Sequence, residues 1–319
     1  MPLGAYENGY FVLNEGSTAE TAGIDFISDS GEKTDDVFRI ENPDQPEIGT
    51  FLQNIFFDAT RAFIISGSTN TVTVVNRFTF EYIGTIDTNL DNPRYGVTLN
   101  GKAYVTNQSG FASGNDDFVT IIDLTDYTTT SILVGDYVDR LTIAGGKIAI
   151  ANGAFGSGNA ITFLNPSNNS LTSLDLGVGN SPNSIISVAN NIYTLTNSSK
   201  FIEVNSSNET IVSTENLPVS LTSPRNLQIE NNEVYFTSAN SVYSFGLGDN
   251  SVSTTPLLTY ETNSAFGSMY GFAVKGNKIY IGDAADFASS GTSFQYNVNG
   301  DLIETYIASG VGPNGFYFN

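Results

Sequence analysis

The sequence predicts an all-β protein, a seven-bladed β-propeller with four strands per blade, and three observations predict it. A polar two-residue turn leading into a short β-rich segment recurs along the chain. The copies follow one another at a nearly fixed period. The last ten residues, GVGPNGFYFN, stop four residues into a new copy, where a ring would need its final strand.

The recurring segment reads NGKAYVTN at 100–107, GGKIAIAN at 145–152, NNIYTLTN at 190–197, NNEVYFTS at 231–238 and GNKIYIGD at 276–283. Diverged copies are NGYFVLNE at 8–15 and TRAFIISG at 60–67. Each couples a turn to β-branched and aromatic residues, and helical periodicity is poor throughout. Aligned on Phe11, Phe63, Tyr104, Ala149, Tyr193, Tyr235 and Tyr280, the copies are spaced 52, 41, 45, 44, 42 and 45 residues apart. Seven copies at such a period imply seven blades.

Within one unit the strands are expected at Gly96–Leu99, Lys102–Thr106, 118–124 and 129–135. Gly/Pro-rich connectors such as NPRYG, NSPNS, SPRN and GPNG lead into each next inner strand, where proline fixes φ and donates no ladder hydrogen bond. The amino-terminal unit lacks an inner strand and supplies the second, third and fourth from GYFVLNE, IDFISD and the VFRI region. The carboxy-terminal Phe316–Asn319 is expected to supply the missing one, joining the amino-terminal blade and closing the ring without an open edge. Residues 1–319 thus form a single β-propeller domain, since no composition shift or long linker interrupts the period.

Composition narrows the function. The formal charge of -21, with only 12 Lys and Arg, argues against nucleic acid and against direct binding to anionic membranes. Cys and His are absent, which removes disulfides, the usual zinc sites and any Ser-His-Asp or Cys-His nucleophile. No apolar run is long enough to span a bilayer, and the amino terminus has neither a basic start nor an apolar stretch, so the chain reads as a mature domain or a trimmed piece of a longer one, from which any export signal would have been removed.

The arrangement of strand, N-G-K-x-Y-V-T-N, loop, V-x-x-I-D-L and G-x-x-P connector resembles the YncE-like seven-bladed propellers. GYFVLNEG and GPNGFYFN are similar to segments of an outer-membrane branch of that group, surface lipoproteins that sit beside nutrient transporters. The resemblance covers essentially the whole chain and implies a surface-exposed nutrient-binding protein. Its ligand would be cobalamin or a related corrinoid, delivered to a TonB-dependent transporter. It also implies attachment to the outer membrane through a lipid on a cysteine, which the sequence given does not contain.

In a propeller the loops after the second strands and the connectors into the next inner strands share one face. Counting back ten residues from each aligned position, nine from Ala149, places Gln53, Arg94, Arg140, Asn183, Arg225 and Tyr270 on a ring around the channel. The GPNG match adds Asn314. Guanidinium groups suit phosphate, carboxylate or amide oxygens, so Arg94, Arg140 and Arg225 are expected to hold the polar or anionic part of a ligand. The alternative is that they pair with acids such as Asp91, Asp136 and Asp139 and only tie blades together.

Three long loops, 110–118, 153–160 and 283–293, each bring a phenylalanine: Phe111, Phe155 and Phe287. With Tyr95, Tyr137, Met269 and Tyr270 they are expected near the same face, where rigid aromatic area suits a large, flat, amphipathic ligand or a protein partner. The alternative is that each ring plugs the gap over its own blade. Asp283 with Asp286, and Asp116 with Asp117, offer oxygen atoms to calcium but match no calcium loop, and they read as turn residues. No cofactor, metal site or enzymatic activity is expected. A protein- or glycan-interaction platform without a small ligand stays open as the second reading.

Overall fold

The computed structural model describes residues 3–17, 22–110, 113–249, 251–262 and 269–319. Seven four-stranded antiparallel sheets are arranged as the blades of a propeller. In the third blade the strands are Pro93–Leu99, Lys102–Asn107, Phe118–Asp123 and Thr129–Leu133, in that order from the channel outward. The inner strands of the others are Leu52–Phe57, Val138–Ala144, Pro182–Val188, Arg225–Glu230 and Gly271–Lys275. Each packs against the inner strand of the next blade, which makes the ring.

Closure is as the sequence predicts. Pro313–Phe318 is the inner strand of the first blade and pairs with Gly9–Asn14, setting Tyr10 opposite Phe318 and Val12 opposite Phe316. Gly23–Ser28 and the short Lys33–Thr34 complete that sheet. The VFRI segment is not its fourth strand: Val37–Glu41 forms a one-turn helix. A strand would turn Val37 and Phe38 to opposite sides. The helix buries both against Phe11, Phe26 and Phe80, leaving Ile40 outside.

Seven apolar clusters hold the ring, one at each junction between adjacent blades. Between the first and second blades lie Phe11, Leu13, Leu52 and Ile64; between the seventh and first lie Tyr280, Tyr10 and Phe316. All seven aligned positions of the repeat are buried, from Phe11 and Phe63 to Tyr280. The repeated aromatic is therefore core that joins blades, and its apolar burial is the main favourable term in assembling them.

Candidate functional site

The inner strands enter the ring through bulges. Leu52, Pro93, Val138, Pro182 and Pro313 face Ser66, Asn107, Asn152, Thr196 and Asn14, and pairing then skips residues before resuming at Asn54, Gly96, Leu141, Ser184 and Gly315. The skipped residues are Gln53, Arg94, Tyr95, Asp139, Arg140, Asn183 and Asn314. A bulge frees a residue from the ladder and re-aims its side chain, so the backbone irregularity itself supplies the channel mouth with polar groups.

The register corrects one assignment. Counted by the ladder, the mouth ring runs Asn314, Gln53, Arg94, Asp139, Asn183, Arg225 and Tyr270, so Asp139 stands where Arg140 was expected. The bulge beside Val138 skips two residues, as the one beside Pro93 does, and the shortened count from Ala149 was unnecessary. Arg140 lies one residue further along the strand. Its guanidinium carbon lies 4.6 Å from the centre of the Tyr95 ring, and neither Tyr95 nor Arg94 lines the basin.

Two connected spaces result. A basin of 540 Å³ at the mouth is lined by Arg140, Phe155, Asn183, Arg225, Met269 and Tyr270, six of the predicted residues, together with Asp139, Gly153 and Asn226. Beneath it the channel holds a cavity of 770 Å³, and Arg140 and Asn226 border both, forming the neck. Gly153 is required here, because a Cβ would lie 1.7 Å from the Pro182 carbonyl oxygen.

Polar contacts fix much of the ring. The Tyr270 phenol donates to the Glu15 carboxylate, and Gln53 Nε2 donates to its other oxygen at 2.8 Å. Asn183 Nδ2 donates to Asn197 Oδ1 at 3.0 Å and to the Pro224 carbonyl at 2.9 Å, while Asn314 Nδ2 donates to the Leu52 carbonyl at 2.7 Å. Arg94 Nε and Asn314 Oδ1 are buried without a partner. Burial pushes the carboxyl of Glu15 above its ordinary value, opposed by the Gln53 hydrogen bond and the charge of Arg94. Burial does the same to Asp139, against the charges of Arg140 and Arg94.

Of the acids named for the alternative role, Asp139 lies within electrostatic reach of Arg140 and Arg94, while the other two have different partners. Asp91 accepts the Ser109 hydroxyl at 2.6 Å and Asp136 accepts the Tyr137 backbone N–H at 2.8 Å. Among the described residues, Arg94, Arg140 and Arg225 form no ion pair within 4 Å, whereas Lys33, Arg39, Arg61 and Lys147 all do. Arg225 donates only a long bond, 3.5 Å, to the Ser223 carbonyl.

The aromatic residues divide. Phe155 is 60% exposed at the basin, in a left-handed conformation with φ 54°. The Phe287 ring meets Tyr270 edge-on at 4.9 Å and backs it, as the plugging alternative describes. Met269 is buried and packs with Tyr260 and Phe272 while closing one basin wall. Tyr137 is half-buried on its connector and does not line the basin. Phe111 lies outside the described residues.

Glu15 and Asn226 were missed, and Asp139 was named only as a partner for the arginines. Glu15 follows its second strand at the position that Gln108 and Asn197 occupy in other copies, four residues past the aligned aromatic. That repeat position was the available signal. Of the carboxylates weighed for calcium, Asp286 accepts the Ala288 and Ser289 N–H groups, and Asp117 those of Ser109 and Val138. Among the described residues no three His, Cys, Asp or Glu side chains come together to hold a metal.

Fold and site together define a β-propeller with a polar, partly aromatic basin at the channel mouth. The chain matches a family described as a domain of unknown function, DUF5074, over residues 8–310, and belongs to it. No curated protein matches the chain. Among solved structures it resembles a functionally unknown protein from Desulfotomaculum acetoxidans, with a TM-score of 0.71 and 12% identity over 97% of this chain and 98% of the other. It also resembles a quinonprotein alcohol dehydrogenase-like protein from Bacteroides thetaiotaomicron, with a TM-score of 0.68 and 14% identity over 98% of this chain and 78% of the other. A third is virginiamycin B lyase from Staphylococcus aureus, with a TM-score of 0.60 and 13% identity over 80% and 84%. At such identities the likeness is one of fold alone.

Proposed function

We propose that this protein is a binding protein that captures a small nutrient in the basin at the channel mouth, with cobalamin or a related corrinoid the ligand to test first. One observation carries the reading: the exposed Phe155 lines the same basin as Asn183, Arg225 and Tyr270. An apolar ring together with convergent hydrogen-bonding groups is what a large amphipathic molecule needs. The frame is preformed, so binding would cost little ordering. The role is capture rather than chemical turnover.

The YncE-like resemblance supports a setting on the outer-membrane surface, with a lipid anchor and delivery to a TonB-dependent transporter. Titration calorimetry with cyanocobalamin tests the ligand. One-to-one binding that Phe155→Ala and Arg225→Ala each weaken is expected, and no heat at two temperatures would remove cobalamin from consideration. A second reading, a protein or glycan partner, has its own support: Phe51, Val178 and Val219 are exposed on connectors of the same face, the two valines almost completely.

A further inference from the structure

We infer that the neck of the channel, where Arg140 borders both spaces and rests over the Tyr95 ring, is a binding site for a small oxyanion group, a carboxylate or a phosphate. The inference deepens the basin reading, because a ligand seated over Arg225 would direct its anionic group into this neck.

The argument begins with a contrast. In a protein of net charge -21 with 33 acidic side chains, a guanidinium has many possible partners. Four other cations take them, yet Arg140 and Arg94, whose charges both bear on Asp139, remain outside any ion pair among the described residues, and Arg94 Nε is buried with nothing to bond. A guanidinium with unused donors in a partly desolvated channel gains from an acceptor that enters with its own negative charge. Arg140 is also held in place, its planar group stacked on the Tyr95 ring, which leaves its donor edge to face the neck. The 770 Å³ and 540 Å³ spaces on either side give a small anion access from both.

The neighbouring charges set the conditions. Arg94 and Arg140 bear on Asp139 and Arg94 on Glu15, Tyr95 and Tyr317 lie near Arg140, and Arg225 shares the basin with Asp139 and Tyr270. Burial pushes the Tyr317 phenol up to about 12, so it stays a neutral donor. Burial also makes Asp139 and Glu15 easier to protonate than ordinary carboxylates. An arriving anion repels both, so binding takes up protons and tightens as pH falls.

Titration calorimetry of the full chain with sodium sulfate and with sodium acetate, at constant ionic strength in chloride, tests this at about pH 5.5 and about pH 7.5, where sulfate does not change charge. Saturable one-to-one binding, tighter at the lower pH, is expected. Preference for sulfate would assign the site to a phosphate-like group, and preference for acetate to a carboxylate. Arg140→Gln should weaken it about tenfold or more, the worth of a charge-assisted fork. Asp139→Asn should tighten it at the higher pH and flatten its pH dependence, a gain that misfolding cannot imitate. No saturable binding of either anion, or equal affinity in Arg140→Gln and the unaltered protein, would overturn the inference. Anion binding without cobalamin binding leaves the neck site standing and sinks the corrinoid reading; cobalamin binding without anion binding does the reverse.

Discussion

The phenol of Tyr270 donates its hydrogen to the carboxylate of Glu15, joining the seventh blade to the first across the seam where the two ends of the chain meet. Gln53 of the second blade donates to the same carboxylate at 2.8 Å, so three blades share one acceptor. The contact is half-buried, and removing it would leave a carboxylate that burial already disfavours with one donor fewer.

Tyr270→Phe should therefore cost about 1–3 kcal/mol, the penalty of leaving a partly buried charged acceptor short of a donor. In a chain of this size that lowers the melting temperature by a few degrees. Thermal unfolding followed by circular dichroism reads it, and a melting temperature equal to the parent's would mean the bond contributes nothing to the seam.

Phe155 holds a left-handed backbone conformation, as Phe51, Phe80 and Phe287 also do. A bulky residue at φ 54° is strained, by about 1–2 kcal/mol, relative to glycine. Phe155→Gly should leave stability equal or slightly higher in urea unfolding, while ligand affinity at the basin falls about tenfold or more. A marked loss of stability would instead make the ring a structural plug.

Asp117 gives stability a pH signature. Burial, with the charges of Asp116 and Asp136, outweighs the N–H groups of Val138 and Ser109 and pushes its carboxyl up to about 6. Between the unfolded value of about 4 and that figure, the folded chain binds the proton more tightly, so this group's contribution to stability declines as pH rises through the window and is constant above it. Melting temperatures of the parent and of Asp117→Asn, compared across this range, should diverge in that sense. A constant difference would show that the group titrates normally.

Phe316 tests the closure. It is buried beside Tyr10 and Tyr280, with ring centroids 6.2 and 5.6 Å away. Phe316→Ala should cost about 3–5 kcal/mol through lost burial and the cavity left behind. The urea midpoint should drop accordingly with an unchanged slope, and a midpoint within error of the parent's would mean that the terminal strand adds no stability.

How far the sequence alone carried the reading follows from which physics was local. Blade number, strand order and closure were legible because Tyr104, Tyr193 and Tyr280 recur at a period that only a ring of equal units explains. The mouth ring was legible except at Arg140, where the shorter count from Ala149 overlooked that this bulge skips two residues just as the one beside Pro93 does. Glu15 was hidden because its neighbours Tyr270 and Gln53 come from other blades. Phe287 could not be separated from Phe155 by spacing, as one turns onto Tyr270 and the other outward. The helix at Val37–Glu41 escaped because five residues carry no helical period.

The pairing of Pro313–Phe318 with Gly9–Asn14 has a consequence for synthesis. Gly9–Asn14 leaves the ribosome long before its inner neighbour, which follows it at the far end of the ring's sequence. At about 5–20 residues per second the strand waits on the order of tens of seconds, one side of its backbone without its final partner. For that interval the nascent chain is an open arc whose first and last blades cannot yet meet. A cell making this protein must keep that edge away from other nascent copies until Pro313–Phe318 has emerged, so its yield should depend on chaperone capacity more than its finished stability would suggest.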